Sequence, residues 1–427
     1  MRAALFIIFL TAPLAGAQLP VSDPILDPLI RDAISNNLDL RVAAARVREE
    51  RALRGITVAR GKPQLAAAAS AAKFERSLAV PGFGDRRQDV YDAGFDAGWE
   101  LDFFGGIRHD IEAAVARVQA TDEARRDLQV MLIAEVARNY VELRGAQRRL
   151  DVLDARIQTF RETLDIVRSR QAAGLTNDLD VVRSEALLED TLAARPSLEF
   201  ASAAAIHRLA VLTGRQPEEL FDRLSQHAAI PAAEISTSVA LEVIKQRPDV
   251  CRAERELAVA TARIGVARAD LYPRVALFGG FGRRSDNTSD LRRSVSNYWS
   301  FGPALQWPLL TGGRVHAQID AATARRDQAE AEFQQSILRA MEDVENSLAG
   351  YGRDQQERER LAAAVVAEAR AVDLADSRYR AGLDSFLAVL DAQRTLRDGE
   401  DRLTAAETSV AVSAISLYKA LGGGASQ

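Results

Sequence analysis

Two turns of the same kind occur in the two halves of the chain, and this repetition limits the folds that are open to it. The first turn is Gly174-Leu175-Thr176-Asn177 and the second is Gly382-Leu383-Asp384-Ser385. Each glycine can adopt the left-handed conformation that closes a helix, and each turn continues into capping residues and apolar residues at helical spacing. The pattern predicts two pairs of long helices, each joined at a helix-turn tip that contains Gly174 or Gly382.

Other segments repeat at almost the same offset. Asn37-Leu38-Asp39 and Arg247-Pro248-Asp249 both begin a helical pattern, and these helices stop before Lys62-Pro63 and Tyr272-Pro273 because proline disfavours a helical residue before it. We therefore expect two structural copies, each made of a half-length helix, a β-hairpin, a long helix and a second half-length helix. They comprise residues 18–214 and 241–427, with a linking equatorial segment at 215–240.

The strongest strand signal is the alternation of apolar and polar or small residues over Tyr91–Phe103. This period of two predicts a strand with one apolar face, and Trp299–Leu309 shows a similar pattern in the second copy. Weaker strands precede them at 63–74 and 275–281, so each copy contains one hairpin. Aromatic residues toward both strand ends favour a membrane strand over a half-buried soluble hairpin. The expected interface aromatics are Tyr91, Trp99, Phe103, Trp299 and Trp307.

The longest helical patterns run over residues 107–173 and 314–381. At ~1.5 Å per residue, each would extend on the order of 100 Å. Helices of this length favour a coiled coil or a helical tube over a compact domain.

The first residues are typical of a secretory signal peptide. Arg2 precedes an apolar run, and Leu14-Ala15-Gly16-Ala17 provides a cleavage site, so 1–17 is expected to be removed on export. Cys251 is the single cysteine, which excludes an intrachain disulfide. After the signal peptide, the sequence has no apolar run long enough for a transmembrane helix. A net charge of −5 without a basic cluster makes nucleic acid an unlikely partner.

Two hairpins provide four strands, which are too few to close a membrane barrel. An open sheet edge in lipid leaves backbone groups without partners, so the sheet must close by association. Three chains would supply twelve strands, an even number within the bacterial range. The expected fold is mainly α with a small β part: a homotrimeric α-helical barrel continued by a 12-stranded membrane β-barrel, with four strands from each chain.

Several motifs together resemble the TolC-type outer membrane efflux proteins, and most closely their NodT-like subgroup. They are the repeat plan, Arg247-Pro248-Asp249, Trp99-Glu100-Leu101-Asp102 and the segment from Val389 to Arg394. The resemblance implies an exit duct that passively carries small molecules across the outer membrane. It also implies a homotrimer in outer membrane lipid, a periplasmic adaptor (membrane fusion) protein and an inner membrane pump of the resistance-nodulation-division (RND) type.

The resemblance also implies a periplasmic gate at the helix-turn tips. Asp391 would belong to an acidic ring that favours cations, and Tyr379 would bond to Asp180 of the neighbouring tip. Two departures weaken this carry-over. Ala388 stands where some relatives have a second carboxylate, and Asp384 stands where the family's lock can have a basic residue. Many members of the subgroup carry a lipidated cysteine where this chain has Ala17, so no lipid anchor is expected.

No enzyme signature accompanies these features. The four histidines, His109, His207, His227 and His316, lack metal-ligand spacing, and no nucleophile elbow or phosphate-binding glycine loop occurs. We expect no enzymatic activity, no metal and no cofactor. Two alternatives stay open: an outer membrane duct of a type I (ABC) protein secretion system, and a soluble periplasmic coiled-coil adaptor or scaffold.

Overall fold

The computed structural model describes residues 19–75, 77, 79, 87–233 and 244–423. The signal peptide expected at 1–17 and part of the linker expected at 215–240 lie outside these residues. The chain divides into two compact units. The helix-tip unit contains residues up to 43, 124–250 and those from 336 onward, and the sheet unit contains 44–123 and 251–335.

The described residues form nine α-helices and four β-strands. The helices are α1 (Leu26–Asn36), α2 (Leu38–Arg60), α3 (Gly106–Ala172), α4 (Asp178–Ala193), α5 (Arg195–Leu212), α6 (Phe221–Leu224), α7 (Pro248–Ala269), α8 (Arg314–Arg380) and α9 (Phe386–Ala420). The strands are β1 (Gln64–Glu75), β2 (Arg87–Leu101), β3 (Arg274–Ser285) and β4 (Asn297–Gln306).

The long helices α3 and α8 repeat each other closely. Each has 67 residues, and the offset between their starts equals the offset between their ends. The helices that follow the two tips, called the returning helices, are α4 and α5 in the first copy and α9 in the second. They keep the same offset, because α9 starts as far after α4 as it ends after α5. In the first copy the returning helix is broken at Ala194, two residues before Pro196, whereas α9 is continuous. Proline cannot donate a backbone hydrogen bond and disfavours helix before it, which explains the difference.

The N-terminal segment is less extended than the sequence suggests. Residues 18–29 contain three prolines, which favour extended backbone, but α1 already begins at Leu26. Pro28 falls in the first helical turn, where its missing N–H has no helical acceptor to lose. Leu26 and Leu29 are fully buried in the largest apolar cluster of the helix-tip unit, and this burial stabilises the early helix start.

A buried polar chain ties the N-terminal segment to α3. The Tyr140 hydroxyl donates to Asp23 Oδ1 at 2.7 Å, and the guanidinium of Arg144 lies 4.8 Å from the centre of the Tyr140 ring. Burial raises the pKa of Tyr140 to about 12. Arg144 Nη1 also donates to the carbonyl oxygen of Gln226 at 2.7 Å. These bonds anchor the N-terminal segment and residues near α6 on one side of α3.

The contacts of the Arg247 side chain explain why a helix starts at the motif Arg247-Pro248-Asp249. The side chain is buried, and Nη1 donates to the carbonyl oxygen of Ala420 at 2.7 Å. Its Nε and Nη2 donate to the Asp249 carboxylate at 3.0 and 2.8 Å, and Nη2 also donates to Asp343 at 3.0 Å. In the first copy Asn37 holds the equivalent position and donates to the carbonyl oxygen of Leu212 at 3.0 Å. The leading helices are α2 in the first copy and α7 in the second. In both copies, therefore, a polar side chain just before the leading helix binds the C-terminal end of the returning helix.

The four strands form one antiparallel sheet in the order β1-β2-β3-β4. In the described sheet, β1 and β4 each pair on one side only, so both are edge strands. The two hairpins predicted from alternation are present, but the strand bounds differ. β2 ends at Leu101 and β4 at Gln306, before the predicted limits at Phe103 and Leu309. Apolar side chains continue past the last backbone pairs, and alternation alone could not show where the pairing stops.

The helices next to the sheet are joined by a shared carboxylate. Asp110 on α3 is 8% exposed and accepts from Arg60 on α2 at 2.8 Å and from Arg263 on α7 at 2.7 Å. The two arginines come from equivalent leading helices of the two copies. One acidic residue of the first copy therefore connects both copies within the sheet unit.

Candidate functional site

The two helix-turn tips have the same backbone conformation. Gly174 has φ of 72° and Gly382 has φ of 69°, values that an L side chain adopts only with strain. In each tip the N–H of the following leucine donates to the carbonyl oxygen five residues earlier at 2.9 Å. This is the helix-closing pattern expected for a C-terminal glycine, and it places both glycines at the ends of long helices.

Polar contacts in the first tip engage Asp180 within its own turn. The Thr176 hydroxyl donates to Asp180 Oδ2 at 2.6 Å. Asn177 caps α4 and accepts from the backbone N–H of Asp180 at 3.1 Å. Asp180 thus lies in the first helical turn, where a carboxylate interacts favourably with the helix dipole.

The second tip is held by a different pair. Arg378 Nε donates to Asp384 Oδ2, and Ser385, the residue before α9, makes no side-chain capping bond. The hydrogen bond from Arg378 and its charge hold the pKa of Asp384 below its ordinary value. Asp384 is therefore ionised at neutral pH and paired within its own tip.

Tyr379 packs between residues of both copies. Its ring centre is 5.4 Å from that of Phe386, with the planes at 52°, and the guanidinium carbon of Arg170 lies 4.6 Å from it. The apolar cluster around it contains Val167, Phe386, Val389 and Leu390. Among the described residues, the Tyr379 hydroxyl has no hydrogen-bond partner.

Asp391 is the acidic side chain expected at the narrow end of a pore. It lies in α9 directly after the buried pair Val389 and Leu390, and 67% of its side chain is exposed. Its carboxylate is 3.3 Å from Arg394 Nη2. Such a solvent-exposed pair contributes little to stability, and most of the Asp391 side chain is open to solvent in the single chain.

The sheet has one largely apolar face that is exposed in the single chain. The strand register places alternate residues of all four strands on this face. Its exposed large side chains are Leu65, Phe95, Trp99, Phe281, Trp299, Phe301 and Leu305. Isolated exposed apolar residues are ordinary, but a contiguous face of this kind indicates a partner surface or lipid.

The five aromatics expected at membrane interfaces do not all lie within strands. Tyr91 and Trp99 lie in β2 and Trp299 in β4, whereas Phe103 and Trp307 follow the ends of β2 and β4. The Trp99 indole donates to the carbonyl oxygen of Gly61 at 3.0 Å, and the Trp307 indole donates to that of Leu271 at 3.1 Å. Both acceptors lie within two residues of the end of a leading helix, α2 or α7. The two tryptophans therefore join the sheet to the helix ends in the same way in both copies.

The opposite face of the sheet carries mostly charged and small residues, together with the exposed Phe74 and Phe278. Arg284 Nε donates to Asp92 Oδ2 at 2.5 Å, and the Tyr298 hydroxyl donates to Asp92 Oδ1 at 3.2 Å. Gly94 and Gly282 lie opposite each other in the register. A side chain on Gly282 would come within 2.8 Å of Gly94 Cα and 2.9 Å of the Tyr298 hydroxyl. This closeness requires glycine beneath the tyrosine.

A model of the outer membrane efflux protein family matches residues 29–215 and 240–423, which include both copies. The chain belongs to the outer membrane efflux protein family. This confirms the resemblance deduced from the repeat and its motifs. The family consists of transport proteins rather than enzymes.

Named relatives extend over nearly the whole of this outer membrane efflux protein. The solvent efflux pump outer membrane protein SrpC of Pseudomonas putida is 33% identical over 403 residues, 94% of this chain and 86% of the relative. Nodulation protein T of Rhizobium leguminosarum bv. trifolii is 32% identical, over 88% of this chain and 80% of its own. Among solved structures, the outer-membrane channel OprN has a TM-score of 0.88 at 36% identity, covering 94% of this chain and 91% of that channel.

The described residues contain neither a cluster suited to hold a metal ion nor a helix suited to span a membrane. No group of three or more histidine, cysteine or acidic residues there could hold a metal ion. No helix in that part of the chain combines the length and apolar composition needed to cross a membrane.

Sequence reasoning missed the contacts that surround the expected gate residues. Arg170 and Arg378 occupy the same position, four residues before each turn glycine, and this repetition could have drawn attention to both. Their partners could not be read from it, because Arg378 binds Asp384 in its own tip whereas Arg170 lies on the ring of Tyr379 in the other copy.

Proposed function

We propose that three copies of this chain form an outer membrane exit duct that passively conducts small molecules received from a periplasmic adaptor and an inner membrane pump of the RND type. The observation that carries the proposal is the four-stranded sheet, with one exposed apolar face and an edge strand on each side. The efflux-pump names of its relatives support the same role.

The sheet has the properties of one segment of a membrane barrel. Its apolar face suits lipid, and its other face carries charged groups that suit water. Backbone groups at the outer edges of β1 and β4 would lack partners in lipid, so β4 of one chain should pair with β1 of the next. Three chains would close twelve strands, and their helices would continue the duct into the periplasm.

The helix-turn tips are proposed as the end of the duct that can close. Three copies of Asp391 would form an acidic ring, and carboxylates around a narrow opening favour cations. The Tyr379 hydroxyl is available for a bond to Asp180 of a neighbouring tip. Asp384 is already paired with Arg378, so we propose that it stabilises its own tip and does not link to a neighbour.

Deletion of the gene tests the duct proposal most directly. The deletion strain should become more susceptible to several toxic small molecules, and the wild-type gene should restore resistance. Recovery of an RND-type adaptor with the full-length protein would support the pump assignment, whereas recovery of an ABC-linked adaptor would favour protein secretion. Unchanged susceptibility to every compound tested would contradict the efflux assignment.

The Asp391→Asn variant tests the acidic ring. Multivalent cations should block the wild-type channel in a planar bilayer, and the variant should need roughly tenfold more cation for half block, a change of about 1.4 kcal/mol in binding. The reason is that three carboxylates would lose their charge at one constriction. Glu359→Gln, an exposed acid on α8, is the matched control and should leave block unchanged. Equal sensitivity of wild type and Asp391→Asn would place the cation site elsewhere.

A further inference from the structure

Arg170 has an incomplete set of partners among the described residues. Its Nε is buried and has no hydrogen-bond partner among the described residues. The equivalent arginine of the second copy, Arg378, binds a carboxylate two residues after its turn glycine. In the first copy that place is held by Thr176, whose hydroxyl binds Asp180. Arg170 therefore lacks the acidic partner that its counterpart has.

The partner that Arg170 does have belongs to the other copy. Its guanidinium lies 4.6 Å from the centre of the Tyr379 ring, within the range of a cation–π interaction. Phe386 contacts the same ring from the start of α9. The Tyr379 ring is thus held by a cation from α3 and by an aromatic side chain from α9.

We propose that Arg170 is a positioning residue of the gate, which holds the Tyr379 ring and thereby links the first-copy tip to the second-copy tip within one chain. This inference rests on the proposed role of the tips as the closable end of the duct. A tip that moves outward alone would have to separate the guanidinium from the ring. The Arg170–Tyr379 contact therefore favours a state in which both tips of a chain move together, or neither moves.

The effect should be measurable as a shift in channel opening. A cation–π contact contributes between about 0.5 and 2 kcal/mol depending on its burial, which corresponds to a change on the order of two- to thirtyfold in the ratio of open to closed channels. Arg170→Met should raise this ratio in planar-bilayer recordings of the purified full-length protein. Arg170→Lys keeps a cation and should have a smaller effect. Arg161→Met makes the same change at an exposed site on α3 and should behave as wild type.

A double-mutant cycle shows whether Arg170 acts through the ring. In a Tyr379→Phe background the ring remains, so Arg170→Met should still promote opening. In a Tyr379→Leu background the ring is absent, so the same change should add nothing. A merely structural role of Arg170 predicts equal effects in both backgrounds.

The outcomes separate this inference from the proposed function. A conducting wild-type channel in which Arg170→Met and Arg161→Met behave alike would overturn the inference and leave the duct proposal standing. The same holds if Arg170→Met promotes opening equally in the Tyr379→Leu background. A wild-type protein that inserts into the bilayer without any conductance would overturn the duct proposal, and the gate role of Arg170 with it.

Discussion

The Arg247→Ala variant is expected to lose about 3 kcal/mol in the free energy of unfolding and to melt well below the wild-type protein. Removing one member of a buried, hydrogen-bonded ion pair leaves the remaining groups without partners, and such changes are among the most costly single substitutions. Here the Asp249 carboxylate and the carbonyl oxygen of Ala420 would both lose Arg247 as a donor, and Asp249 would keep the backbone N–H of Val250. Thermal unfolding in detergent, followed by circular dichroism, measures the change.

This loss should depend on pH in a defined direction. Burial raises the pKa of Asp249, but the hydrogen bonds and the charge of Arg247 outweigh burial. The resulting pKa of Asp249 is therefore below its ordinary value of 3.8. A depressed carboxyl pKa gives stability that is present above the ordinary value and is lost as pH falls through the lowered value. The difference in the free energy of unfolding between wild type and Arg247→Ala should therefore be largest at neutral pH and smaller at strongly acidic pH. The bond to the Ala420 carbonyl does not titrate and should keep part of the difference.

Arg255→Ala is the matched control, because Arg255 lies on α7, the helix that follows Arg247, is 41% exposed and is 3.6 Å from Glu254. Surface substitutions of this kind usually change stability by less than about 0.5 kcal/mol. If both variants melted alike at neutral pH, Arg247 would not be the anchor described above.

The Gly282→Val variant is expected to prevent correct assembly of the sheet, with a cost of about 3 kcal/mol per chain. The new Cβ would lie 2.8 Å from the carbonyl oxygen of Ala93 and from Gly94 Cα. These are backbone atoms of the paired strand, so no side-chain rotation can relieve the contact. The amount of folded protein in outer membranes, measured as heat-modifiable species on gels, should fall sharply.

Gly98→Val is the control, because it tests whether replacing a strand glycine by valine is harmful where there is space for the side chain. Gly98 lies in β2 on the same face as Gly94, but a side chain there would meet nothing within 4 Å. Valine favours strands, so this variant should assemble normally. Normal assembly of Gly282→Val would contradict the close approach of Gly94, Gly282 and Tyr298.

The repeat made much of this fold predictable from sequence. Turn glycines, prolines and alternating aromatics fix local backbone conformation, and each signal occurs twice at nearly one offset. The ends of α3 and α8 therefore fell within one residue of the expected limits. The family was also predicted correctly, because the order of these signals is itself characteristic.

Two kinds of feature could not be predicted in this way. Strand ends depend on which backbone groups find a partner, and the apolar alternation at Phe103 and Trp307 continues after pairing has stopped. Side-chain contacts between residues far apart in the chain, such as Arg170 with Tyr379, depend on how the helices pack. One returning helix was predicted in each copy, and Pro196 is the residue that could have indicated the break in the first copy.

The described part of each chain contributes an even number of strands to the sheet, and this has a consequence for any closed assembly. Because neighbours alternate in direction, β1 and β4 of one chain run opposite to each other. A junction between β4 of one molecule and β1 of the next is then antiparallel, like every pairing inside the molecule. Copies can therefore join around a ring with every strand pairing antiparallel. The number of copies is then set by the curvature of the sheet and by the packing of the helices.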